Sequence, residues 1–152
     1  KLFVSVGGRR LKEEILPVVK AFEEASYEIY ATEHTAEALI SEGIRVTTLY
    51  KIGEPSREPN LIEYITSHKL DLIINIISST TIDKYASMID DEYVMRRKAV
   101  EFNIPVFTNL QLVKELARAI NAESKRRKNG KRRDAVLRSL NSYMETVPLK
   151  LW

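Results

Sequence analysis

Polar side chains that can bind phosphate follow four short apolar segments of this chain. They are Lys12, Thr32, Thr35, Lys51, Asn75, Ser78, Ser79 and Thr80, with a Gly7-Gly8 pair after the first segment. Hydroxyls and the backbone N–H groups of helix N-termini donate hydrogen bonds to phosphate oxygens, and lysines add positive charge. Each residue alone has an ordinary structural explanation, such as a helix cap, a solvated lysine or a polar loop. Four segments that end in the same chemistry nevertheless favour one shared phosphate site.

The apolar segments have the length and β-branched content of strands, and helical patterns separate them. They comprise residues 2–6, 27–31, 45–49, 70–76 and 104–107. The segment 70–76 is apolar almost throughout, which is typical of a central strand covered on both faces. The alternation predicts an α/β fold, a three-layer αβα sandwich around a five-stranded parallel sheet. The carboxyl ends of parallel strands share one edge, where such sheets bind ligands.

Helical patterns cover residues 12–25, 36–41, 61–68, 91–102 and 110–119. Gly43 stands where a left-handed helix stop is expected, and Asn60 can cap the helix that follows it. Asp91 can cap the fourth helix, with Glu92 favoured by its positive N-terminal pole. The polar stretch 78–90 is long for a connection in an α/β fold and predicts a loop, of the kind that often carries function.

The composition excludes several classes of protein. The chain of 152 residues is 44% hydrophobic and 30% charged, which is typical of one globular domain with a substantial core. It has no cysteine and two histidines, so thiolate zinc sites and disulfides are excluded and no metal site is expected. No apolar run approaches the ~20 residues that span a bilayer, so we expect a soluble, cytoplasmic protein. Because the first residue is Lys1, we expect a piece of a longer chain.

A basic run divides the C-terminal part of the sequence. Residues 125–133 hold seven lysines and arginines and no acid, and the rest of the chain then has 17 basic and 21 acidic residues. We predict a domain over 1–120, a basic linker over 121–133 and a C-terminal amphipathic helix or tail over 134–152. The helix would pack on this domain, on a second copy or on the rest of a longer chain. A nucleic-acid-binding module is the weaker alternative, because the basic run lacks aromatic residues for stacking.

Several short stretches occur in an order that resembles one known family. They are Ser5-Val6, Ala31-Thr32-Glu33-His34-Thr35-Ala36, Lys51-Ile52, Glu58-Pro59-Asn60, Asp71-Leu72-Ile73-Ile74-Asn75 and residues 93–111. Across about residues 2–120 they are similar to the methylglyoxal-synthase-like (MGS-like) domain that ends the large subunit of carbamoyl-phosphate synthase. The resemblance implies a non-catalytic domain that binds an allosteric effector and controls distant ATP-dependent sites. The parent would be a glutamine-hydrolysing ligase that makes carbamoyl phosphate for pyrimidine and arginine biosynthesis.

The same resemblance implies a set of effector-binding residues. They are Ser5, Lys12, Thr32, Thr35, Lys51 and Asn75, and Lys12 fits after a one-residue shift in the first loop. No cofactor is implied for the domain, since ATP and Mg belong to the parent enzyme. The implied partners are a phosphorylated effector, the remainder of the large subunit and the glutaminase small subunit. Ile77 replaces a threonine of bacterial relatives, and the loop 53–59 also departs from the family pattern. The effector therefore stays open among UMP, UTP, IMP, phosphoribosyl pyrophosphate (PRPP) and N-acetylglutamate.

Methylglyoxal synthase itself is the enzymatic alternative. Elimination of phosphate from dihydroxyacetone phosphate requires a carboxylate base beside the substrate. The family keeps an aspartate in the loop after strand three and a histidine in the loop after strand four. Here the first loop has Glu54 and Glu58 but no aspartate, and the second has no histidine. This favours effector binding, for which the loop 77–90 is our hypothesis for the element that changes state.

Overall fold

The computed structural model describes residues 1–77 and 86–128, which form a parallel sheet flanked by helices. In chain order the elements are β1 Leu2–Val6, α1 Arg9–Glu24, β2 Ile29–Ala31, α2 Glu33–Ile40, β3 Val46–Thr48, α3 Leu61–Thr66, β4 Leu72–Ile76, α4 Ala86–Glu101, β5 Val106–Phe107 and α5 Leu110–Lys128. All neighbouring strands are parallel, in the order β3-β2-β1-β4-β5. The predicted α/β fold with a five-stranded parallel sheet is confirmed.

The strand order reverses between β1 and β4, and this reversal positions the candidate site. From β1 the chain moves outward to β2 and β3, then returns to the other side of β1 as β4. Ser5 is the register partner of Asn75, and Val6 is the partner of Ile76. Two central strands therefore end side by side at the switch point, where open α/β sheets form their ligand crevice.

Each face of the sheet has its own apolar core. Alternate side chains of β1 point to opposite faces, so Leu2, Val4 and Val6 belong to one core and Phe3 to the other. Helices α1, α2 and α5 cover the first face, whereas α3 and α4 cover the second. Phe3 and Phe22 are fully buried, and burial of such a side chain stabilises the fold by about 1.5–3 kcal/mol. The two cores fix the strand ends that carry the polar residues.

Two predicted helix boundaries have the expected local causes. Gly43 follows α2 with a φ of 80°, and Ile44 N donates to the carbonyl of Leu39 across the end of the helix. Asn60 precedes α3, and its side chain accepts a hydrogen bond from Ile62 N. The left-handed stop and the N-cap are both confirmed.

The predicted start of the fourth helix is wrong. Helix α4 begins at Ala86 rather than after Asp91. Residues 86–90 are therefore helical, although the sequence predicted a loop there. The stretch 86–90 has no glycine or proline that would stop a helix. Asp91 lies inside the helix and its carboxylate faces the loop after β3, since a Cβ added to Gly53 would lie 2.7 Å from Asp91 Oδ1.

The last helix extends further than its apolar pattern indicated. Helix α5 continues to Lys128, through the first eight residues of the segment predicted as a basic linker. Residues 129–152, with the predicted C-terminal helix, lie outside the described part of the chain, so the proposed division of the C-terminal region stays a prediction. Within the described ranges, no helix combines the length and apolar character needed to cross a membrane.

Candidate functional site

The ends of the two central strands converge on one carboxylate. Ser5 Oγ donates to Oε1 of Glu92 at 3.1 Å, and Asn75 Nδ2 donates to Oε2 of the same carboxylate. Arg96, one turn further along α4, donates from Nε to Asn75 Oδ1 at 2.5 Å. Ser5 and Asn75 are both buried, at 6% and 0% exposure. Strands β1 and β4 therefore present hydrogen-bond donors to the same oxyanion, which helix α4 supplies.

The environment of Glu92 combines burial with positive charge. Burial raises the pKa of this carboxyl above its ordinary value, because water no longer solvates the charged form. Hydrogen bonds from Asn75 and Ser5 oppose that change in the pKa, as do the positive charges of Arg96 and Lys51. The resulting pKa is still raised. Lys51, which follows β3, therefore lies close enough for its charge to act on the centre of the site.

Two threonines connect the start of α2 to the end of β1. Thr35 is 2% exposed, and its Oγ1 accepts a hydrogen bond from Val6 N at 3.2 Å. Thr32 donates from its hydroxyl to Thr35 Oγ1 at 3.1 Å, and makes no side-chain cap to α2. The hydroxyls and the first turn of α2 thus lie at the same sheet edge as Ser5.

Lys12 lies in the first turn of α1, and its side chain contacts the first turn of α2. Its Nζ donates to the backbone carbonyl of His34 at 2.7 Å, and its side chain is half-buried. This contact joins the first turn of α1 to the first turn of α2. The predicted contact of Lys12 with an effector stays a prediction.

A buried asparagine fixes the loop that carries Lys51. Asn60 is 5% exposed, and its Nδ2 donates to the carbonyls of Lys51 at 2.8 Å and Glu54 at 3.0 Å. Its Oδ1 accepts from Ile62 N at 3.0 Å, so the same side chain caps α3. One residue thereby couples the helix start to the position of the lysine.

Arg57 lies beside the start of α2, at the border of the candidate site. Its guanidinium donates to both oxygens of Glu33, at 2.7 and 3.1 Å, and to Glu54 at 2.9 Å. It also lies over the ring of Tyr50, 3.8 Å from the ring centroid. The carboxylates of Glu33 and Glu54 raise the pKa of Arg57 further above its already high value. The acid in the first turn of α2 is thus paired.

The structure brings the predicted residues together in two groups. Ser5 and Asn75 share one partner, and Thr32 and Thr35 bond to each other at the neighbouring strand end. Lys51 is positioned by its own loop. Within the described part of the chain, Lys12 contacts the backbone of α2. Ser78 and Ser79 lie outside the described residues.

Sequence reasoning did not assign Glu92 or Arg96 to the site. A spacing of four residues puts both on one side of α4, and their contacts with Asn75 place them at the end of β4. An acid and a base at this spacing are common on exposed helices, so the pattern alone did not separate these two residues from the neighbouring Arg97.

Comparison with known proteins identifies the family. The model of a family described as MGS-like domain matches residues 14–108. The chain is 37% identical over 114 residues to the carbamoyl phosphate synthase large chain of Clostridium botulinum, covering 75% of this chain and 10% of that protein. It is 32% identical over 130 residues to the C-terminal section of the carbamoyl phosphate synthase large chain of Aquifex aeolicus, covering 86% of this chain and 22% of that protein.

A eukaryotic relative extends the same comparison. The chain is 30% identical over 124 residues to the multifunctional protein URA2 of Saccharomyces cerevisiae, covering 79% of this chain and 6% of that protein. It therefore spans about a twentieth to a fifth of the length of these relatives. The resemblance inferred from the short stretches is confirmed, and the chain belongs to the family of MGS-like domains.

Proposed function

We propose that this domain is the effector-binding regulatory domain of a carbamoyl-phosphate synthase large chain. The effector would be a phosphorylated molecule, such as UMP, UTP, IMP or PRPP, bound at the carboxyl ends of the central strands. One observation carries this proposal: donors from β1 and β4 converge on a single oxyanion, the Glu92 carboxylate. A cluster that holds a carboxylate in this way has the donors that a phosphate needs.

The surroundings of that point support a phosphate rather than a neutral ligand. Two positive charges act on the carboxylate of Glu92, that of Lys51 from the loop after β3 and that of Arg96 from α4. Thr32 and the first turn of α2 lie at the neighbouring strand end, where backbone N–H groups and the helix dipole favour anions. The charge of Glu33 in this turn is paired with Arg57. The site therefore combines directional donors with cations.

The relatives support one of the proposed partners, the rest of a synthase large chain. Carbamoyl phosphate synthase large chains contain a region similar to this chain, and the chain corresponds to only a small part of them. These relatives support the remainder of a large chain as a partner, and our proposal adds a glutaminase subunit and a place in the cytoplasm. ATP and Mg would bind to the parent enzyme, and the domain itself would perform no chemistry.

Titration calorimetry of the chain tests effector binding. The ligands are UMP, UTP, IMP, PRPP and N-acetylglutamate, each titrated into the wild type and into Lys51→Ala. We expect saturable binding of at least one phosphorylated ligand, weakened about 10- to 100-fold in Lys51→Ala, because a hydrogen bond to a charged group is worth about 1.5–3 kcal/mol.

Lys20→Ala is the matched control for the loss of a positive charge. Lys20 is exposed in the second half of α1, far along the helix from the sheet edge that holds the site. Its variant should bind like the wild type. Equal weakening by both substitutions would mean that net charge and not a site governs binding, and absence of any binding would refute the proposal.

One observation keeps methylglyoxal synthase as a second candidate. Glu92 is a carboxyl with a raised pKa beside potential phosphate ligands, and an enzyme that abstracts a proton needs such a base. The test is turnover of dihydroxyacetone phosphate to methylglyoxal and inorganic phosphate by the wild type. Turnover lost in Glu92→Gln would establish the enzyme, whereas binding without turnover would support the regulatory domain.

A further inference from the structure

The centre of the candidate effector site already contains a negative charge that belongs to the protein. The Glu92 carboxylate accepts one hydrogen bond on each oxygen, from Ser5 and from Asn75. Arg96 orients the amide of Asn75 by donating to its Oδ1 at 2.5 Å. These contacts join β1, β4 and α4 at the switch point of the sheet. A carboxylate held in this way resembles a bound ligand anion.

The Ser5 hydroxyl cannot donate to Glu92 and to a phosphate at the same time. A serine hydroxyl has one hydrogen to donate, and that of Ser5 is directed at Glu92 Oε1. A phosphate that took the hydroxyl would also stand beside the negative carboxylate, in a partly buried position where like charges repel more strongly than in water. The anion therefore meets the least repulsion when Glu92 is in its neutral form.

We infer that Glu92 is an internal competitor of the effector, which makes anion binding depend on neutralisation of its carboxylate. The inference rests on the proposed function of the site. It assigns Glu92 the role of setting affinity and pH dependence, and it assigns the protonated form of Glu92 to the state that accepts phosphate. Binding of a fully ionised phosphate then takes up one proton.

The groups around the carboxylate make this proton uptake feasible. Strands β1 and β4 contribute the neutral Ser5 and Asn75, and the charged neighbours are Arg96 on the same helix and Lys51 after β3. Asp91, the preceding residue, lies against Gly53. Burial already raises the pKa of Glu92, and an arriving phosphate would raise it further through its own negative charge.

The affinity of the wild type should consequently fall as the pH rises. When only the protonated form is competent, the apparent dissociation constant increases about tenfold for each pH unit above the pKa of Glu92. Phosphate monoesters have a second pKa of about 6, so their own charge is constant between about pH 7.5 and 8.5. In this interval a decline in affinity is therefore not caused by ionisation of the phosphate.

Two substitutions of Glu92 test the inference with inorganic phosphate and UMP as probes. Glu92→Gln keeps the volume and removes the charge, and Glu92→Ala removes the side chain, so that one of the two remains informative if the other does not fold. Glu24→Gln is the control for the change in net charge. Glu24 is exposed at the last residue of α1, at the opposite end of that helix from the site. Calorimetry in buffers of different ionisation enthalpy reports the protons taken up.

At about pH 8 we expect Glu92→Gln or Glu92→Ala to bind UMP at least about tenfold more tightly than the wild type does. Proton uptake on binding should be close to one in the wild type and in Glu24→Gln, and close to zero in the Glu92 variants. Unchanged or weaker binding by folded Glu92 variants, with a wild type that binds through Lys51, would overturn the inference and leave the proposed function intact. If neither the wild type nor a Glu92 variant binds either probe, even at about pH 6, the proposed function and the inference both fail.

Discussion

Asn60 holds the loop after β3 to the start of α3, and replacement by aspartate separates its two roles. Its Oδ1 caps the helix by accepting from Ile62 N, whereas its Nδ2 donates to the carbonyls of Lys51 and Glu54. Aspartate retains the acceptor but has no amide hydrogens. Asn60→Asp therefore keeps the cap and removes both bonds that hold the loop.

The expected loss can be worked out from these three contacts. Each buried hydrogen bond contributes about 1 kcal/mol, and the new carboxylate would face two carbonyl oxygens at a site that is 5% exposed. We expect Asn60→Asp to lower the free energy of unfolding by at least about 2 kcal/mol at neutral pH. Asn60→Ala also loses the cap, and should cost about 3 kcal/mol in total.

Urea unfolding followed by far-ultraviolet circular dichroism measures both variants. Asn109→Asp is the matched control, because Asn109 is exposed and its Oδ1 accepts from Leu112 N at the start of α5. Aspartate and asparagine are about equivalent as pure helix caps, so this control should stay close to the wild type. A loss below about 0.5 kcal/mol in Asn60→Asp would refute the idea that Asn60 holds the Lys51 loop.

Two further substitutions test the local structure around the site. Thr35→Val keeps the shape of the side chain but leaves the buried N–H of Val6 without its partner, so it should cost about 1–3 kcal/mol in urea unfolding. Thr66→Val, at an exposed position of α3, is its control and should be nearly neutral. Gly43→Ala should cost about 1–2 kcal/mol in the same assay despite open space around the position, because its φ is 80°. An alanine variant as stable as the wild type would contradict the role of that left-handed conformation.

The fold was predictable because its strands and helices differ in hydrophobic period. The run 70–76 indicated a central strand, and β4 is indeed paired with β1 on one side and β5 on the other. Gly43 and Asn60 marked helix boundaries through local conformational needs that the structure retains. Strand lengths were overestimated, as in β2, which begins at Ile29 rather than at residue 27. Apolar residues continue beyond the ladder into the buried ends of loops, so hydrophobicity alone does not locate the first paired residue.

The phosphate-compatible residues were predictable for a topological reason. Parallel strands end at one edge, and β1 is the neighbour of both β2 and β4, so Ser5, Thr32 and Asn75 come near each other at that edge. The details depend on tertiary contacts. Lys12 donates to a backbone carbonyl of α2, and the Thr32 hydroxyl donates to Thr35 Oγ1 and does not accept a capping hydrogen bond from the first turn of α2. Such side-chain partners depend on how α1 and α2 pack on the sheet. The hydrophobic period of the sequence does not predict that packing.

The central carboxylate was missed because a local rule had already explained it. An acid just after Asp91 suits the first turn of a helix, and that reading holds only when the helix begins there. With a start at Ala86, Glu92 stands about 1.7 turns inside the helix, beyond the range of the N-terminal dipole. A carboxylate turned toward the sheet at that depth needs donors, and Ser5 and Asn75 are the donors it reaches. With the helix start at Ala86, Glu92 is an occupant of the candidate site rather than a first-turn surface acid, and in our inference its charge is the quantity that sets the affinity for the effector.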